Sequence, residues 1–255
     1  ITIVSNIEKT PFIQRPARET GSDVFIDAFD VILLDQGRTF MFEIDRFGPD
    51  EDYARTYKRI GGRILSDAEV NRVTSQIYRV LWEAYTDRSR DNDFPTVREA
   101  IVEAGLHVSK SHFYLLDDLI AEHEIGVIPG VDRIAIRKLS ETHRLGIVSN
   151  IWAQPARFEH NLQKADIFDC FEHMVWSSAH RKSKPSVALF QIALDYWKLE
   201  PEQILYVGDD PIRDVGGSKA AGMNSAWINP NSENLPDGCP RPDISIANLS
   251  DLLIR

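Results

Sequence analysis

The chain has 255 residues, 43% of them hydrophobic and 27% charged, and its 29 basic and 39 acidic side chains leave a formal net charge of -10. This is the composition of a globular protein with room for one or two domains and a sizeable core. It argues against a nonspecific nucleic-acid binder, which needs positive faces, and no apolar run approaches the ~18–20 residues of a membrane span.

Residues 1–20 are broken by charges and by Pro11 and Pro16, so no signal-peptide pattern is visible. Cys170 and Cys239 lie far apart and form neither a metal-ligand pattern nor a disulfide framework. The expected compartment is therefore the reducing cytoplasm.

Residues 1–28 mix polar residues, prolines and short apolar pieces, and read as an N-terminal extension. Residues 29–34 (FDVILL) are apolar and β-branched, and end at Asp35 before the turn Gln36-Gly37-Arg38. That pattern predicts a buried strand. Residues 40–125 carry only helical patterns. A short helix over 50–60 stops at Gly61-Gly62. Ser66 and Glu69 have capping-box spacing. They open a long helix with Val70, Val73, Ile77, Val80, Leu81 and Tyr85 on one face. A third helix spans 95–104 and stops at Gly105. A fourth starts at Ser109 or Ser111 and reaches His123, with Phe113, Leu116, Leu119 and Ile120 on one face.

After Pro129-Gly130 strands and helices alternate. Helices are predicted over 131–143, 154–164, 187–198 and 214–222. Strands are predicted over 145–148, 174–176, 204–207, 224–228 and 243–246. Residues 229–242 are turn-rich. Alternation of this kind predicts an α/β fold, a doubly wound parallel sheet carrying a small helical domain. The expected division is a core of residues 29–39 and 126–255 and a helical insert of residues 40–125.

In an open parallel sheet, ligands bind beyond the carboxyl ends of the strands. The predicted strands end at Asp35, at Ser149 and at Asp209, and Lys184-Pro185 lies in the loop before the helix that precedes Asp209. One edge thus gathers carboxylates, a hydroxyl and an amine. The set suits phosphoryl transfer. An aspartate can attack phosphorus and split one hard step into two. A phosphate beside Asp35, Asp209, Asp210 and Asp214 is repelled unless a lysine and a hard cation offset the charge. Magnesium takes carboxylate, water and phosphate oxygens. A serine hydroxyl and free N–H groups at the strand-to-helix turn can hold phosphate oxygens.

Each residue alone has a plainer reading. An aspartate after a strand is commonly a turn residue, Ser149-Asn150 a helix cap, and Lys184 a surface lysine with Lys182 as a neighbouring rival. The seven histidines show no ligand spacing, and His107, His112 and His123 fall in the helical insert as surface or core residues. Trp152 reads as core packing and residues 87–93 as a solvated loop. The order and context of the four motifs give them weight.

Taken together they resemble the haloacid dehalogenase-like superfamily of aspartate-nucleophile hydrolases, most of which are phosphatases. The family's strand-Asp-x-Asp-x-Thr motif is matched by Asp35-Gln36-Gly37-Arg38-Thr39. The strand ending in Ser or Thr is matched by GIVSN. The Lys-Pro pair is Lys184-Pro185. The Gly-Asp-x-x-x-x-Asp motif is GDDPIRD. The helical insert resembles the family's small mobile cap of the first class.

The resemblance implies a nucleophile at Asp35, with Ser149 and Lys184 as the other catalytic residues. It implies a magnesium site of Asp35, the Gly37 carbonyl, Asp209 and Asp214. Asn150, Thr39 and Arg38 form the expected substrate-binding set, Thr39 by keeping the loop in shape. Phe42, Arg46 and Phe47 are the candidate cap contacts. The expected substrate is a small phosphorylated metabolite, with no nucleic acid and no membrane as partner.

One position departs from the pattern. Where the family phosphatases carry a second aspartate as general acid/base, this chain has Gly37. Such help is worth about 10²–10⁴-fold. Gly37 leaves three outcomes: slow hydrolysis, an easy leaving group, or acid/base help from elsewhere. It also keeps two rival readings alive, a metal-free 2-haloacid dehalogenase and a binding scaffold.

Overall fold

The computed structural model describes residues 25–106 and 108–254. Most of the predicted N-terminal extension, residues 1–24, and His107 lie outside the described residues. Phe25–Ala28 forms one short helical turn with Ile26 buried. The Ile26 carbonyl accepts a hydrogen bond from His143 Nε2 at 3.0 Å. These four residues therefore pack with the core.

The sheet has six parallel strands: β1 Val31–Leu34, β2 Arg144–Ser149, β3 Phe171–Trp176, β4 Ile204–Gly208, β5 Asn224–Ile228 and β6 Ile244–Ile246. Their order is β3-β2-β1-β4-β5-β6. Every residue of β1 is buried, as a central strand covered on both faces requires. Ile32 and Leu34 join one core cluster, Val31 and Leu33 the other. The second cluster includes Leu189, Phe190 and Ala193 of α8, Val187–Trp197. The first includes Ala135, Ile136 and Leu139 of α5, Gly130–Thr142, and Phe158 and Leu162 of α6, Pro155–Lys164.

The strand order reverses beside β1, with β2 on one side and β4 on the other. This is the switch point at which a crevice opens beyond the strand ends. Leu34 pairs with Ile147 and with Val207. The register therefore carries Asp35, Ser149 and Asp209 to the same edge.

Four helices fill the insert: α1 Tyr53–Arg59, α2 Asp67–Thr86, α3 Val97–Glu103 and α4 Lys110–Glu124. The Ser66–Glu69 capping box has both its hydrogen bonds, and Thr96–Glu99 repeats the device on α3. Val70, Val73, Ile77, Val80 and Leu81 are buried on α2. The two segments joining insert to core run side by side. Phe42 and Val127 exchange both backbone hydrogen bonds, at 2.8 and 2.7 Å. A Cβ on Gly126 would lie 1.9 Å from the Phe42 carbonyl oxygen, so only glycine allows this approach.

Three local expectations change. The helix expected over 214–222 begins earlier, as a wide turn over Pro211–Gly216 followed by α9, Gly217–Ala220. The Asp210 carboxylate accepts the N–H groups of Ile212 and Arg213 at 2.8 and 2.9 Å and opens the turn there. Strand β3 starts at Phe171, because edge residues such as Glu172 need not be apolar. Residues 87–93 are not wholly solvated. Asp91 is buried, where it takes Arg88 Nε at 2.7 Å and Ser183 Oγ at 3.1 Å. Both cysteines are free thiols. Among the described residues no helix is long and apolar enough to cross a membrane.

Candidate active site

Asp35 leaves the end of β1 with its N–H bonded to the Val207 carbonyl at 2.9 Å. Its Oδ1 accepts from Ser149 Oγ at 2.7 Å and lies 2.6 Å from Lys184 Nζ. Lys184 Nζ also donates to Asp214 Oδ1 at 2.6 Å and to the Tyr206 hydroxyl at 3.0 Å. Lys184, on the loop between α7 (Ser177–His180) and α8, is buried, while its neighbour Lys182 is not. Carboxylate oxygens of Asp35, Asp209 and Asp214 lie within 4.8 Å of one another. Four motifs scattered over some 180 residues of sequence meet at one point.

The electrostatics follow from crowding negative charge in a low-dielectric crevice. Burial opposes the Lys184 charge, but Asp214 and Asp35 outweigh it and raise its pKa well above the ordinary lysine value. Burial, then the Asp214 and Asp35 charges, push Asp209 up to about 8. Burial lifts Asp214 to about 6, with Lys184 opposing. Three carboxylates face one ammonium, and the Asp209 carboxylate has no hydrogen-bond donor among the described residues. The arrangement is short of positive charge, and its free ligands are hard oxygens. A magnesium ion fits such a donor set.

The rest of the predicted set takes varied places. Asn150 Oδ1 accepts the Lys184 N–H at 2.8 Å, so its side chain anchors the lysine loop. Thr39 is buried and its hydroxyl has no partner among the described residues. The first loop is shaped instead by the Gln36 carbonyl, which accepts from Thr39, Phe40 and Met41 at 3.3, 3.1 and 2.9 Å. Arg38 is exposed with φ +53°. Arg46 is spent as a brace, donating to the carbonyls of Glu43 at 2.8 Å, Ile125 at 3.0 Å and Glu122. Phe47 stacks on Tyr78 at 4.9 Å and leans on Trp152 at 5.5 Å, while Phe42 is exposed.

Three supporting residues escaped the sequence reading. The Tyr206 hydroxyl donates to the Val148 carbonyl at 2.8 Å beneath Lys184. A tyrosine inside an apolar strand was the available signal. Arg213 donates to the carbonyls of Lys184 and Tyr85 at 2.5 and 2.6 Å and lies 3.7 Å above the Tyr85 ring. Glu124, at the end of α4, accepts the N–H groups of Trp152 and Ala153 at 2.6 and 3.0 Å. Burial raises its pKa well above the ordinary carboxylate value.

A six-stranded parallel sheet with a lysine-bound aspartate and further carboxylates at its switch point, topped by a helical insert, defines a Rossmann-like α/β enzyme core. The chain belongs to the haloacid dehalogenase-like hydrolases, whose family model matches residues 53–228. That span holds Ser149, Lys184, Asp209 and Asp214 and begins after Asp35. Among curated relatives, the 5-amino-6-(5-phospho-D-ribitylamino)uracil phosphatase YigB of Escherichia coli is 26% identical over 74% of this chain and 79% of its own length. A glyceraldehyde 3-phosphate phosphatase of Pyrococcus abyssi is 30% identical over 40% of this chain and 42% of its own. Among solved structures, the 2-haloacid dehalogenase of Pseudomonas syringae pv. Tomato is 20% identical with a TM-score of 0.59, covering 89% of this chain and 99% of that one. The latter likeness is one of fold.

Proposed function

We propose that this hydrolase is a magnesium-dependent phosphatase of a small phosphorylated metabolite, working through an aspartyl-phosphate on Asp35. The observation that carries this reading is the contact of Asp35 with Lys184 and Ser149 beside Asp209 and Asp214. The phosphatase names of YigB and the Pyrococcus enzyme support it.

Lys184 and Ser149 hold Asp35 Oδ1, which fixes the carboxylate and leaves Oδ2 for attack on phosphorus. Tyr206 and Asp214 hold the ammonium in place. Of the N–H groups after Ser149, that of Asn150 is the one offered to the phosphoryl oxygens, since Ile151 donates to Ser177 and Trp152 and Ala153 donate to Glu124. Arg38 is placed for an anionic part of the substrate. Asp35, Asp209, Asp214 and the Gly37 carbonyl would hold magnesium, which supplies charge neutralisation for the phosphoryl group. The insert of residues 40–125 acts as a cap over the core of 29–39 and 126–255, excluding water and selecting substrate.

The test is release of 4-nitrophenol from 4-nitrophenyl phosphate with and without magnesium, beside Asp35→Asn. Expected is magnesium-dependent release that the variant lacks. Release at the level of the variant would overturn the reading. Gly37 favours one rival, attack of Asp35 on carbon in a 2-haloacid. Halide release from 2-chloropropionate in the presence of a chelator would establish that chemistry instead.

A further inference from the structure

The end of the Ile44 side chain presses on the place where the second aspartate would stand. A Cβ on Gly37 would lie 2.9 Å from Ile44 Cδ1 and 3.9 Å from Asp35 Oδ2. Ile44 sits on the segment leading into the cap. The next residue on that segment is an acid, Asp45.

Asp45 is fixed by its backbone. Its N–H bonds to the Glu124 carbonyl at 3.3 Å, and its own carbonyl accepts from Phe47 at 2.8 Å. Its φ is +55°, a left-handed conformation that aspartate and asparagine tolerate better than most residues. The carboxylate is reached by solvent, yet protein surrounds much of it. It lies within the fields of Arg38 and Asp35, and its own charge acts on Tyr78 and Glu124. This crowding lifts its pKa to about 6, burial being the main cause, with Arg38 opposing and Asp35 adding.

The neighbouring acids are already engaged. Asp214 holds Lys184 and the Asp210 N–H. Asp210 caps the Pro211 turn. Glu124 binds the N–H groups of Trp152 and Ala153. Asp209 belongs to the proposed cation site. The Asp45 carboxyl has neither hydrogen bond nor ion pair among the described residues, and the residue before it, Ile44, reaches Gly37 of the nucleophile loop.

We propose that Asp45, carried on the cap linker, is the general acid/base that replaces the carboxylate missing at Gly37. This rests on the phosphatase reading above. In the first half-reaction Asp35 Oδ2 bonds to phosphorus as the bond from phosphorus to the leaving oxygen breaks. The electron pair of that bond goes to the leaving oxygen, which takes the proton of the Asp45 carboxylic acid and departs as an alcohol. In the second half-reaction the Asp45 carboxylate takes a proton from water. The water oxygen bonds to phosphorus, the Asp35–phosphorus bond breaks, and its pair returns to Asp35. Inorganic phosphate leaves and Asp45 is again protonated.

The experiment compares 4-nitrophenyl phosphate with phenyl phosphate, two leaving groups of similar shape and different basicity. Wild type, Asp35→Asn and Asp45→Asn are assayed with magnesium. Asparagine suits the left-handed backbone, and thermal unfolding confirms the fold. Expected for Asp45→Asn is a loss of about 10²–10⁴-fold in kcat on phenyl phosphate, which needs a proton, and a far smaller loss on 4-nitrophenyl phosphate. Adding Gly37→Asp with Ile44→Val, which clears the space, should return part of the phenyl phosphate activity.

Equal losses on both esters, or none on either, would overturn the proposal. So would a loss on the poor leaving group that Gly37→Asp/Ile44→Val leaves untouched. Wild-type turnover no greater than that of Asp35→Asn would instead strike the phosphatase reading, and this proposal with it.

Discussion

Arg38 sits at φ +53° in the loop that follows Asp35. A left-handed conformation costs a residue with a Cβ about 1–2 kcal/mol, and such strain persists where the surroundings hold it. Glycine relieves the strain and loses chain entropy of roughly 0.5–1 kcal/mol. Arg38→Gly is therefore expected to hold or slightly raise the melting temperature while raising KM for an anionic substrate. A fall of many degrees would show that the guanidinium stabilises the fold. The same scale shows what a linear reading reaches. Asp35 and Asp209 follow a strand, Ser149 ends one, Lys184 precedes a proline and Asp214 closes the motif that Asp209 opens, so their places were legible. Glu124 comes beside the loop after Ser149 only by tertiary approach. Nothing local in its sequence marks the 2.6 Å bond from Trp152 to Glu124, 28 residues away.

Among the elements, the strands and the long cap helix were the most legible, since burial on both faces of β1 and one face of α2 imposes the apolar pattern directly. The Pro211 turn was not, because a side-chain cap at Asp210 opens it without any apolar period. Glu124 shows how elements are joined. It ends α4 of the cap and reaches the loop after β2, satisfying two backbone N–H groups there. An orphaned buried donor costs about 1–3 kcal/mol. Glu124→Ala should therefore lower unfolding stability by several times the loss seen with Glu124→Gln, which keeps one acceptor. Denaturant titration of the two variants measures the difference. Equal losses would mean that the N–H groups find water.

At the scale of the whole molecule, charge in the site ties stability to pH and to cation. Asp209 has a folded pKa of about 8 against an ordinary value of 3.8. Between these values the folded state binds the proton and the unfolded state does not, so stability falls as pH rises. Burial lowers the pKa values of His123, His173 and His180, which act in the opposite sense below about pH 6.5. In the window from pH 6.5 to 8 Asp209 therefore acts with the buried Glu124, whose raised pKa has the same sign. Without divalent cation the melting temperature should fall across it. The fall should shrink in Asp209→Asn and in excess magnesium, which binds the ionised folded form. A melting temperature that is flat in metal-free buffer would refute the charge excess.

The aromatic seam between cap and core has an optical consequence. Tyr78 and Trp82 of α2 have ring centroids 6.1 Å apart, and Tyr78 meets Trp152 of the core at 5.7 Å. Two of the chain's five indoles thus flank the joint between its two parts. Their emission reports the surroundings of that joint, so the proposed cap motion should be visible in the protein's own light. Adding magnesium with a phosphate mimic should shift the tryptophan spectrum, and Trp152→Phe should remove most of the shift.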